Sequence, residues 1–371
     1  MKVSKSHKQL VIEAFQYTRK KIKRHKNQAC FSVFSHLASP TDRDYDSLAS
    51  LMRHGGSVIK ADPNELDKFN KDWTGHYKGI SNTIVLPTCV EEVSSILAYC
   101  NERSIGIVPQ GGNTGLVGGS VPVSDELVLS LSLMNKIYPS LNDSNDKDDS
   151  SVLTCDAGCI LQSLQTYASE RNHLIPIDIG SKGSCMIGGN ISTNAGGQYF
   201  NRFGSLHANV VGLEVVLADG RVLDLLNTNR KDNTGYHLKH LFIGAEGTLG
   251  VVTKVNLYCP SKPSARNVAL VACETFQHVI DSLKLAKAQL GEILAAFEFM
   301  DQNALDLSES SVPFGRPNGN KNYPFCILIE TQGSNMEHDS SKLLKFLDQS
   351  IQEGVVIDGI LAQDGKQSES M

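Results

Sequence analysis

Pro109-Gln110-Gly111-Gly112-Asn113-Thr114-Gly115, Gly188-Gly189-Asn190-Ile191-Ser192-Thr193-Asn194-Ala195-Gly196-Gly197 and Gly244-Ala245-Glu246-Gly247-Thr248-Leu249-Gly250-Val251-Val252-Thr253 decide how this chain reads. Glycine lets backbone approach a ligand closely and reach positive φ, while Asn, Thr and Ser side chains can hydrogen-bond phosphate oxygens or heterocycle edges. Each segment stands beside an apolar run that reads as a strand. Three such loops together predict backbone wrapped along one extended dinucleotide.

Outward from these loops the pattern alternates between strands and helices. Thr83–Leu86 is short and β-branched, Val90, Val93, Ile96, Leu97 and Cys100 keep helical spacing, and Ile105–Pro109 returns to strand, so the first loop follows a β-α-β passage. Leu127–Leu133 and Val152–Cys155 follow, separated by the polar surface run from Asn142 to Ser151. Ile160, Leu161, Leu164, Tyr167 and Ala168 mark a helix, and His173–Ile177 leads to the second loop. Val210–Leu217 and Val222–Leu226 flank Ala218-Asp219-Gly220, whose Asp-Gly pair predicts a tight hairpin with positive φ. The third loop runs into strand Val251–Leu257, and Pro260 and Pro263 close the domain. Beyond Asn267, Val268–Cys273, Phe276–Leu290, Ile293–Met300, Phe325–Glu330, Leu343–Ile351 and Val355–Leu361 read β-α-β-β-α-β, the order of a ferredoxin-like unit, with Ser308–Asn322 joining its halves.

A nicotinamide site on a Rossmann fold requires Gly-x-Gly-x-x-Gly, yet no two glycines of this chain stand at i and i+2. The phosphate loop Gly-x-x-x-x-Gly-Lys-Ser/Thr is missing as well. The 371 residues, 40% hydrophobic and 20% charged, suit two soluble domains, and no apolar run reaches membrane-spanning length. Nine cysteines without a Cys-x-x-Cys pair read as thiols in a reducing compartment. Cys155 with Cys159, and His237 with His240, lack companions at zinc spacing and predict no metal. Residues 1–36 carry nine Lys or Arg against Glu13 alone, as an organelle-import leader does; a basic tail is the bland alternative. The acidic remainder argues against nucleic acid as partner.

Over Tyr77 to about Leu361 the chain resembles the flavin-binding vanillyl-alcohol oxidase and p-cresol methylhydroxylase (PCMH) family, and within it the D-2-hydroxyacid dehydrogenases. The likeness rests on Val108–Gly119, Asp178–Gly189, Thr193–Gly197 and Gly235-Tyr236 with Leu241–Thr253. It implies an α+β fold: a basic leader over 1–40, a lead-in over 41–77, a PCMH-type FAD-binding domain of two subdomains over 78–262, and a partial ferredoxin-like cap over 267–371. It further implies that Pro109, Gln110, Gly111, Gly112, Asn113, Thr114 and Gly115 hold the FAD pyrophosphate through backbone N–H groups, with Leu116 packed nearby. Asp178, Gly183, Ser184, Cys185, Ile187, Gly188, Gly189, Thr193, Asn194, Ala195 and Gly196 would line the adenosine and the middle of the flavin. Glu246, Gly247, Gly250, Val251 and Val252 would add backbone contacts. Some relatives attach flavin through a histidine where this chain has Asn113, so dissociable FAD is expected.

The resemblance implies transfer of the α-hydrogen of a D-2-hydroxyacid to flavin as hydride, with D-2-hydroxyglutarate as first substrate, lactate or glycolate as alternatives, and electron-transfer flavoprotein as acceptor. It also implies a mitochondrial matrix location. The family places its carboxylate-binding arginine and lysine, and a His-rich zinc motif, in a segment after the cap strands. No two histidines here stand seven apart, and the chain reaches Met371 about where that segment begins. On this reading the chain is a shortened form whose catalytic residues are unknown, and a catalytically silent flavin-binding or interaction protein is the alternative from another class. An uncovered cap sheet would invite self-association, for example a homodimer. Lys182, Arg202 and Arg221 are the candidate substitute carboxylate binders, for which surface or phosphate roles are the expected ones.

Overall fold

The computed structural model describes residues 37–60, 63–139, 151–308 and 323–362. The basic leader through His36, nearly all of the polar run from Asn142, the Ser308–Asn322 connection beyond Ser308, and the tail from Asp364 lie outside these residues.

The first layer holds α1 (Asp42–Leu51), β1 (Ser57–Lys60), α2 (Pro63–Asn70), β2 (Thr83–Leu86), α3 (Val90–Arg103), β3 (Ile107–Gln110) and β4 (Leu127–Ser130). Its sheet runs β1-β2-β4-β3, with β2, β4 and β3 parallel. The β-α-β passage is present, and β4 inserts between the two strands that the helix connects. β2 and β4 are buried throughout, as parallel strands covered on both faces must be. In α3, Val93, Ile96, Leu97 and Cys100 are buried at helical spacing, and Ser104 ends the helix in the left-handed region at φ 55°.

The second layer is an antiparallel sheet in the order β5-β6-β9-β7-β8, from β5 (Ile137–Tyr138), β6 (Val152–Asp156), β7 (Val210–Val216), β8 (Val222–Leu225) and β9 (Val251–Tyr258). Val85, Ile96 and Leu129 of the first layer share one core with Leu153, Leu213 and Val255 of the second. The β7–β8 turn takes positive φ only at Gly220 (84°), while Asp219 keeps negative φ. Gly220 closes on α3: a Cβ there would stand 2.7 Å from Ser94 O, and Ser94 Oγ donates to Gly220 O.

Two expectations need correction. The second glycine segment borders no strand, because His173–Ile177 makes only the single bridge His173 to Ser261. That segment begins instead as a helix, after α4 (Leu161–Ser169): α5 (Ile187–Ser192), whose Ile187 and Ile191 both point into the core. A short α6 (Phe200–Phe203) follows.

The cap consists of β10 (Ala265–Cys273), α7 (Phe276–Leu290), β11 (Leu294–Asp301), α8 (Gln302–Ser308), β12 (Phe325–Gly333), α9 (Met336–Gln352) and β13 (Asp358–Leu361). Its antiparallel order β11-β12-β10-β13 is the ferredoxin-like one. α7 and α9 cover one face, where Phe346 and Leu343 meet Val271, Ile327 and Ile329. The other face is not bare. The unanticipated α8 brings Leu305 over Leu270, Ala272 and Cys326, and Tyr199 and Phe203 pack on Ala295 and Ala296.

Candidate functional site

The three glycine segments, far apart in sequence, close on one another. A Cβ on Gly247 would stand 3.0 Å from Pro109, one on Gly111 3.6 Å from Gly189 N, and one on Gly112 2.1 Å from Ser184 O. Gly244 N and Glu246 N donate to Ile191 O and Ser192 O at 3.0 and 2.8 Å, pinning the third segment to the end of α5. Left-handed Asn113 (φ 53°) and Glu246 (φ 52°) supply the bends. Between the segments lies a groove of about 270 Å³.

Pro109 through Gly115, Cys185, Gly188, Gly189, Thr193, Ala195, Glu246, Gly247, Gly250, Val251 and Val252 line this groove, together with Val117, Ser120, Leu131, Ile179, Ser181, Met186, Asn190 and Ser192. Leu116, expected to pack there, is 61% exposed, and Ile187 is wholly in the core. Ser184 lies beneath Gly112, Gly183 beside Gln162, and Asn194 accepts the His207 N–H through Oδ1. Asp178 and Gly196 face an adjoining cleft.

The glycines divide into two kinds. Those at Gly112 and Gly188 allow protein to pack on protein, since a Cβ would strike Ser184 O or stand 2.6 Å from Ala157 Cβ. Gly115 and Gly189 have nothing within 4 Å of a Cβ, so their open faces belong to the groove. The amide N–H groups of Gly111, Gly112, Asn113, Thr114 and Gly115 find no acceptor among the described residues. Backbone donors that lack protein acceptors and crowd one loop suit an anion such as a pyrophosphate, which they bind without any side-chain cation. The residues therefore fit FAD at its phosphates.

Polar side chains do less here than the sequence suggested. Gln110 Nε2 donates to Phe69 O and Ser120 O at 2.9 and 2.7 Å. Asn113 Nδ2 donates to Lys68 O and Lys71 O, and its Oδ1 accepts from Ser120. Both amides thus tie the loop to the lead-in. Ser192, Thr193 and Thr248 hydroxyls bond carbonyls of their own segments.

The groove meets a second cavity at Ile179, a cleft of about 890 Å³ between the flavin-side domain and the cap. Consecutive residues serve both: Ser181 lines the groove and Lys182 the cleft, Ala195 the groove and Gly196–Tyr199 the cleft. Lys262 and Pro263 come from the linker, and Arg266, Val268, Glu298, Leu328, Glu330 and Gln332 from the cap. Arg266 Nη2 donates to Glu330 Oε2 at 2.8 Å, and Gln332 Nε2 to Glu330 Oε1 at 2.7 Å. Burial raises the Tyr199 phenol, and desolvation raises the Glu298 carboxyl. None of these cap residues was singled out from sequence. A signal existed in the period of two: Glu330 and Gln332 share one side of an apolar strand, and Gln332 is the register partner of Arg266.

Of the substitute cations, Lys182 pairs with Asp178 at 2.9 Å, Arg202 donates to Glu292 O, and Arg221 pairs with Asp219 in the surface turn. Among the described residues no group of three or more His, Cys, Asp or Glu could hold a metal. The zinc that the resemblance implies finds no ligand set there. Cys155 and Cys159 are core thiols, the His240 ring lies tilted against those of His237 and His207, and His338 contacts Asp339.

Residues 81–226 match the FAD binding domain family, and residues 262–371 the C-terminal domain of FAD linked oxidases. The chain is 51% identical over 303 residues to the mitochondrial D-2-hydroxyglutarate dehydrogenase of Danio rerio, covering 82% of this chain and 55% of that protein. It is 49% identical over 319 residues to the Bos taurus protein of the same name, covering 86% and 57%. With the D-2-hydroxyglutarate–pyruvate transhydrogenase of Saccharomyces cerevisiae it shares 42% over 360 residues, 96% of this chain and 68% of that one. The chain thus spans little more than half the length of the two animal relatives. Its fold matches alkyldihydroxyacetonephosphate synthase with a TM-score of 0.71 at 17% identity, over 91% of this chain and 64% of that one. On this sequence likeness, the chain belongs to the FAD-linked oxidase family of the D-2-hydroxyglutarate dehydrogenases.

Proposed function

We propose that the chain binds FAD without a covalent bond and oxidises a D-2-hydroxyacid, D-2-hydroxyglutarate first, to the 2-oxoacid. The observation that carries this reading is the groove of unpaired backbone N–H donors that opens at Ile179 into a polar cleft between two domains. Bound FAD supplies the hydride acceptor. Residues Gly111–Gly115 hold its phosphates, and the open faces of Gly115 and Gly189 let it lie close to backbone. Asn113 is an amide already committed to three partners, which supports dissociable cofactor. The segments 178–182 and 196–199 pass from groove to cleft, so they would place the substrate carbon at the groove mouth. The names of the relatives and the basic leader support a mitochondrial location, and the resemblance supports electron-transfer flavoprotein as acceptor.

The test is spectral. The purified chain is mixed with FAD, freed of excess cofactor, and given D-2-hydroxyglutarate without oxygen while the flavin band at about 450 nm is followed. Bleaching is expected. A yellow protein that keeps its colour would refute the oxidation, and a colourless one the cofactor site.

A further inference from the structure

The Arg266–Glu330 pair is unevenly exposed. The Arg266 side chain is 34% exposed and the Glu330 side chain 2%, so the pair presents its cationic end to the cleft. Glu330 has both oxygens engaged, one by Arg266 and one by Gln332, and has no need of a donor from a ligand. A guanidinium carries five N–H donors in a planar fork matched to carboxylates. Lys262 of the linker lines the same cleft and makes no ion pair among the described residues; its Nζ donates to Ser169 Oγ. Lys182, the cleft cation on the flavin side, is paired with Asp178.

From this placement we infer that Arg266 anchors the second carboxylate of a dicarboxylic hydroxyacid, with Glu330 as its positioning residue. The inference rests on the proposed oxidation for the identity of the acid. The reacting carbon must reach the groove mouth, whose residues come from the flavin-side segments 178–182 and 196–199, whereas Arg266 stands on cap strand β10. Tyr199 lines the same cleft and packs on Ala295 and Ala296 of the cap, so it joins the two walls. A three-carbon monocarboxylate has only the group that must stay near the flavin. A dicarboxylate has a further anion to offer the cap.

Calorimetric titration with D-2-hydroxyglutarate and with D-lactate, on the chain with and without FAD, tests this. Arg266→Ala is expected to weaken the dicarboxylate on the order of 30-fold or more, as loss of one partner of a hydrogen-bonded charge pair does. Arg266→Lys should recover part of that, because the charge returns without the fork. Glu330→Gln should weaken the dicarboxylate by releasing the guanidinium. D-lactate binding and the flavin spectrum should stay as in the unaltered chain. The inference is overturned if Arg266→Ala binds D-2-hydroxyglutarate normally, if it loses both acids equally, or if the unaltered chain binds neither. Arg266-dependent binding without bleaching would leave the anchor standing and remove the oxidation; equal bleaching in the variant would do the reverse.

Discussion

Gly188 and Gly189 are neighbours in α5, and alanine at each should act in opposite ways. At Gly189 an added Cβ meets nothing within 4 Å, so the flavin-free fold should gain the usual helical advantage of alanine, about 0.5–1 kcal/mol. The same methyl would stand in the groove and should weaken FAD by about tenfold or more, roughly 1.4 kcal/mol. At Gly188 the Cβ would lie 2.6 Å from Ala157 Cβ and 2.9 Å from Ala157 O, well inside contact distance. Overpacking of that kind costs about 1–3 kcal/mol. The obstruction includes backbone, which gives the upper end, so a net loss of about 2 kcal/mol remains after the helical gain. Urea unfolding of the flavin-free variants reads the first quantity, and titration of FAD fluorescence quenching reads the second. Unchanged FAD affinity in Gly189→Ala would refute the assignment of its open face to the cofactor. Unchanged stability in Gly188→Ala would refute the packing argument.

Buried Asp44 accepts from Arg103 Nε, Tyr99 OH and Thr41 N, and the Arg103 contact leads in holding its carboxyl far below the ordinary value of 3.8. The unfolded chain therefore binds the proton first as pH falls, so the stabilisation is complete above about pH 5 and drains away in acid; Asp44→Asn should cost about 2 kcal/mol at pH 7 and flatten the acid limb of a melting-temperature profile. Parallel profiles would contradict this. Burial pushes the thiols of Cys100, Cys259 and Cys273 up to about 12, so iodoacetamide at pH 8 should label them only after urea is added, as mass spectrometry of the digests would show.

Local physics made much of this chain legible in advance. Helical spacing from Val90 to Cys100 and the β-α-β-β-α-β rhythm after Asn267 are short-range patterns, and the cap topology followed from them. The glycine-rich loops announced a dinucleotide because close approach of backbone requires residues without Cβ. Tertiary structure decided which glycine serves which purpose: Gly112 and Gly188 are distinguished from Gly115 and Gly189 only by what stands opposite them, Ser184, Ala157 or open space. It also committed the side-chain amides of Gln110 and Asn113 to carbonyls of residues about 40 positions away, leaving the backbone of the loop to face the groove. Arg266, Glu330 and Gln332 escaped notice for the same reason. Polar residues in a strand read locally as one face of a sheet, and only the approach of Tyr199 and the linker made that face the wall of a cleft.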